Sequence, residues 1–159
     1  MKKEEQQLLK YAIFTGLIYF GVVRPILQKV GIVKTKEDVL VLTQTNLPNS
    51  ENPFSPIFYK KAGAGAILLK RDFANQLAKR IYNAMGYLTD DESEVFSVFR
   101  NLKTQTQVSY LADVFQQNYK SDLLEFLKKG KNQFNVASGL NSDELSVILN
   151  IVNKLPKYK

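Results

Sequence analysis

Cysteine, histidine and tryptophan are all absent from the 159 residues. Without cysteine there is no disulfide framework, thiolate zinc site, Fe–S cluster or thiol nucleophile. Without histidine, Ser-His-Asp triads and imidazole ligation of zinc or haem go the same way. Glycine is sparse, at 8 residues. The Gly-rich stretch Ala62-Gly63-Ala64-Gly65 lacks both the Lys-Ser/Thr pair and the preceding strand of a phosphate-cradling loop. What remains for chemistry is carboxylates, lysine, tyrosine and hydroxyls. Of the eight glutamates, Glu92, Glu94 and Glu144 fall in or near first helical turns, where the helix dipole alone favours them, and nothing argues for an apolar pocket around Glu125. No catalytic, cofactor-binding or metal-binding residue is expected, and the chain reads as a non-enzyme.

Hydrophobic residues make up 45% of the sequence and charged residues 23%, enough apolar material for one core. The length suits one domain with an appendage. Lysine and arginine total 22 against 15 acidic residues, a net charge of +7. The excess is spread along the chain and forms no basic arm. Lys70 and Lys79 lie nine positions apart, about 180° around a helix, so they make no stripe that a phosphate backbone would follow. The pattern argues against nucleic acid and fits an anionic lipid surface or an acidic protein partner.

Between Lys10 and Arg24 lie thirteen uncharged residues, YAIFTGLIYFGVV. They are apolar all round, which calls for burial in lipid or protein. As a helix they cover about 20 Å, less than the roughly 30 Å of a bilayer's hydrocarbon. Leu8 and Leu9 before Lys10, and Ile26, Leu27, Val30, Ile32 and Val33 after Arg24, extend the stretch. Residues 1–33 are therefore expected to form a membrane anchor or a helix buried against protein. Tyr11, Ile13, Phe14, Leu17, Ile18, Phe20, Val22 and Val23 would face the apolar phase, with Lys10 and Arg24 snorkelling to opposite headgroup layers. A signal peptide fits less well, because Glu4 and Glu5 interrupt the basic start and no small-residue cleavage site follows Val23.

Residues 34–65 read as an extended linker. Val39–Thr43 is β-branched and apolar but has no second strand to pair with. Three of the five prolines follow, at Pro48, Pro53 and Pro56, and favour extended geometry. Phe54, Ile57, Phe58 and Tyr59 are too apolar for a solvated tether. Either they lie on the following domain, or Phe54, Phe58 and Tyr59 form a docking motif for a partner.

Residues 66–159 carry a helical pattern throughout, and the fold class is all-α, with about five short helices in a compact carboxyl-terminal bundle. Leu69, Phe73, Leu77, Ile81 and Met85 step by four over a first helix near 66–85. Thr89 with Glu92 opens a second helix, with Val95, Val98, Phe99 and Leu102 inward. Thr104 with Gln107 opens a third, Ser121 a short fourth ended by Gly130, and Asn141 with Glu144 a last one before Pro156.

The run Gly86-Tyr87-Leu88-Thr89-Asp90-Asp91-Glu92, then Val95, Phe99, Gln107, Leu111, Phe115, Tyr119, Asp122-Leu123 and Leu127, resembles a single annexin repeat over about 74–155. That resemblance implies the helix order. Annexins bind calcium at the corresponding turn and bridge it to phospholipid; here Leu88 stands at the second glycine and Lys128–Gln133 offers no carboxylate, so the activity does not carry over. In layout the chain also resembles small membrane-anchored structural proteins of bacteriophages. The expected function is a structural or scaffold protein of a larger assembly, set in a bacterial inner membrane or a virion, with other structural proteins as partners. The alternative is a soluble adaptor or inhibitor of an acidic protein.

Overall fold

The computed structural model describes residues 40, 47–63, 66–86, 91–131 and 139–158, all within one compact unit spanning Leu40–Lys159. The anchor residues between Lys10 and Arg24 lie outside the described residues, as do Thr89 and Asp90 of the annexin-like turn. Five α-helices are complete among its described residues: α1 (Arg71–Ala84), α2 (Glu92–Asn101), α3 (Gln105–Tyr119), α4 (Leu123–Lys129) and α5 (Ser142–Lys154). A short 3-10 helix, Phe58–Ala62, precedes them. There is no β-strand among the described residues, and the all-α expectation holds for them.

Four of the five helices begin where a side chain satisfies orphan backbone donors; α1, which follows Lys70, has no side-chain cap. Thr104 Oγ1 accepts the Gln107 N–H at 3.2 Å, as its spacing predicts, while Gln107 Oε1 reaches one residue past the cap to the Lys103 N–H at 2.9 Å. Asn141 and Glu144 form both halves of a capping box. The other two starts differ from expectation. Glu92 is the first residue of α2, and Asp91 caps it by accepting the Glu94 N–H at 3.0 Å. Asp122, not Ser121, caps α4 through the Glu125 N–H at 2.9 Å. In both cases an aspartate accepts a hydrogen bond and also places negative charge at the helix's positive end.

Helix α3 is the centre of the unit. It packs against α1, α4, α5 and the 3-10 helix, and α2 bridges α1 and α5. Its central place explains why it buries Gln105, Thr106, Gln107 and Ser109 as well as its apolar residues. The inward set expected on α2 is buried, as are Leu123, Leu124, Phe126 and Leu127 of α4 and Leu145, Ile148, Leu149 and Val152 of α5, with Leu155 partly so. Helix α1 departs from the pattern: it starts at Arg71 rather than near residue 66, and Phe73 is 43% exposed. Ala74 and Ala78 occupy the contact instead, and the Asn118 Nδ2 donates to Asn75 Oδ1 at 3.0 Å across the α3–α1 seam. Small residues permit that approach where a phenylalanine would hold the helices apart. Further along the same seam Tyr82 stacks on Tyr119 with centroids 4.1 Å apart and planes 3° from parallel, and Phe115 meets Phe126 of α4 at 4.9 Å. Each such pair adds about 0.5–1.5 kcal/mol to the burial.

After α4 the chain turns at Gly130, φ 63°, and returns so closely that a Cβ on Gly139 would lie 1.9 Å from the Lys128 carbonyl oxygen. Only glycine fits there. The return is fixed by the Leu140 N–H donating to the Leu127 carbonyl at 2.8 Å.

The linker expectation is corrected over its described part. Residues 47–63 form a series of turns and the 3-10 helix, packed on the bundle rather than extended away from it. Leu40 is helical and half-buried against the core, so it takes no part in a strand. The physical reason lies in the aromatic residues: Phe54 and Phe58 are each 1% exposed, and Phe54 lies 5.8 Å from the Phe99 ring. Burying two phenylalanines offsets part of the entropy of ordering this proline-containing segment, and its hydrogen bonds to Ser109 and Asp113 add to that.

Candidate interaction surface

The attachment of residues 47–63 is built on one line of α3. Ser109, Asp113 and Gln117 recur every four residues and so share a stripe of the helix. The Ser109 hydroxyl donates to the Ser55 carbonyl and accepts the Tyr59 N–H at 2.9 Å. The Tyr59 hydroxyl donates to Asp113 Oδ2 at 3.0 Å, and Gln117 Nε2 donates to the same oxygen at 2.9 Å. Arg71, first residue of α1, donates from Nη2 to Gln117 Oε1 at 2.6 Å. One stripe thus ties the 3-10 helix and the start of α1 to α3. Burial, and then the hydrogen bond to the Asp113 carboxylate, push the Tyr59 hydroxyl above the ordinary tyrosine range. The ring meets Tyr110 edge-on at 5.3 Å.

This arrangement decides where the docking candidates stand. Phe54 and Phe58 are enclosed by their own chain, which leaves neither ring free for a partner, and Tyr59 is half-buried with its hydroxyl engaged. The exposed apolar side chains are others. Six large ones stand exposed among the described residues: Ile57, Ile67, Leu68, Phe73, Val147 and Tyr158. Four of them, Ile57, Ile67, Leu68 and Tyr158, lie on segments held to the first half of α3, while Phe73 lies nearer its other end, where Arg71 and Asn75 meet Gln117 and Asn118. Ile57 adjoins the 3-10 helix, and Tyr158 stacks on Phe58 at 6.1 Å. Gln107 Nε2 holds the Ile67 carbonyl at 3.2 Å, and the Gln105 N–H holds the Pro156 carbonyl at 2.9 Å. Phe73 sits in the first turn of α1, beside Arg71.

Periodicity put Phe73 inside and gave no sign of Tyr158. The signal available was Ile67-Leu68-Leu69, three apolar residues in a row just before a helix start, of which only Leu69 packs against the core.

The carboxylates are arranged otherwise. Arg80 forms a two-pronged pair with Glu94, its Nη2 lying 3.1 Å from Oε2, and this hydrogen bonding holds Glu94 below the usual carboxylate range. Hydrogen bonds from Lys128 at 2.9 Å and Lys129 at 3.1 Å do the same for Glu125. A glycosidase-type general acid needs the opposite shift. Among the described residues no three acidic side chains are placed to hold a metal ion, and no helix is long and apolar enough to cross a membrane. No protein-family model, curated protein or solved structure matches the chain.

Proposed function

We propose that the chain is a non-enzymatic structural protein, fixed in a membrane by residues 8–33 and presenting its helical unit to other proteins of an assembly, in a bacterial inner membrane or a virion. The observation that carries this reading is the uncharged run Tyr11–Val23 between Lys10 and Arg24. Thirteen residues with no polar face have no stable place in water, and the apolar residues on either side lengthen them toward a bilayer's thickness. The net charge of +7 also suits a soluble adaptor for an acidic protein.

The test is extraction of the full chain from expressing cells. Wild type is expected in the membrane fraction after alkaline carbonate washing, and a Leu17→Arg/Ile18→Arg variant in the soluble fraction. Wild type released by carbonate like the variant would overturn the anchor and favour the adaptor.

A further inference from the structure

Four exposed apolar side chains on segments held to the first half of α3, Ile57, Ile67, Leu68 and Tyr158, are unusual for a surface meant only for water. Their charge setting is one-sided. Lys60, Lys61, Lys70, Lys103, Lys154 and Lys157 are all exposed in the same segments, with Arg71 joined to Gln117. Against them stand the exposed Glu51 and Asp72, while Asp113 is engaged by Tyr59 and Gln117. The topology separates most other acids from this rim. The end of α2, the start of α3 and the end of α5 lie together, joined by the Gln105–Pro156 hydrogen bond. The acidic first turns of α2 and α5, and of α4 beyond the far end of α3, therefore lie toward the opposite end, where Arg80, Lys128 and Lys129 already pair with Glu94 and Glu125.

We infer that this rim rests on the headgroup layer of an anionic membrane. Interleaved apolar tips and lysines match that layer: the tips sink toward the acyl boundary while the ammonium groups stay at phosphate depth. A protein partner would need a continuous apolar core, whereas here lysines interrupt the apolar positions along the segment 57–73. The inference deepens the membrane-anchored reading by giving the helical unit its own lipid contact, and the test separates the two.

Because the chain has no tryptophan, an Ile67→Trp variant of the full chain carries a single fluorescent reporter on the rim, and Val147→Trp carries one near the start of α5. Both are mixed with neutral phosphatidylcholine vesicles and with vesicles containing phosphatidylglycerol, each doped with brominated lipid, and recovery by flotation is measured alongside quenching. The expected result is quenching of the position-67 reporter on anionic vesicles, less on neutral ones, and none at position 147. Adding Lys60→Ala and Lys61→Ala shifts the docking equilibrium roughly fivefold per lysine. Flotation with both vesicle types but equal signals at 67 and 147 overturns the rim contact and leaves the anchor. Flotation with anionic vesicles alone, with quenching at 67, supports the rim and overturns the anchor. No flotation with either overturns both.

Discussion

Glu94 and Arg80 meet in a two-pronged pair on the surface between α1 and α2, and the carboxyl's pKa is lowered by that partner. A carboxylate whose folded pKa is depressed contributes stability above its unfolded value, near 4.3, and loses it as pH falls through the folded value. Solvent screens the pair, so the contribution is modest. Glu94→Gln is expected to lower Tm at pH 7 and to lower it less near pH 3, as protonation of the parent's carboxylate weakens the pair; thermal unfolding across that range by circular dichroism checks it. An equal deficit at both pH values would assign the loss to packing. Glu125, flanked by Lys128 and Lys129, follows the same sign. At this scale the sequence announces that a helix begins but not which residue caps it. Thr104 and Asn141 stand where their spacing puts them, whereas at α2 and α4 the caps are Asp91 and Asp122, where charge adds to hydrogen bonding at the dipole's positive end.

Among the elements, the inward faces of α2, α3, α4 and α5 were legible because each repeats an apolar residue every three or four positions. Helix α1 was less so. Its apolar repeat runs through Phe73, but what a close helix crossing selects is small size, and Ala74 and Ala78 supply it. For residues 47–63 the extended reading fails, because prolines fix local φ angles without setting the path of the segment, whereas the reading that its aromatic residues lie on the following domain holds for Phe54 and Phe58. Phe54 is the decisive case. Buried at 1% and 5.8 Å from Phe99, its replacement in Phe54→Ala is expected to cost about 3–5 kcal/mol, a fall in Tm on the order of 10 °C or more. Chemical denaturation would show it; a stability within a few tenths of a kcal/mol of wild type would return this segment to the role of a free tether.

For the molecule as a whole, two features of the sequence point the same way. The run Tyr11–Val23 has no charge, and the basic excess is spread over the chain. The rim on the helical unit was invisible in the one-dimensional pattern, because its members come from the 3-10 helix, the approach to α1 and the segment beyond α5. Hydrogen bonds to α3 bring them together, and those pairings span forty to fifty positions of sequence. Composition suggested an anionic partner; only the fold gave that preference a location.

The claim beneath the rest is that residues 8–33 need shelter from water. Sedimentation of the purified full chain in detergent-free buffer tests it most directly. The account predicts large or polydisperse species that resolve to a defined one when detergent is added. A single sharp boundary at the 18.1 kDa monomer mass without detergent would contradict it.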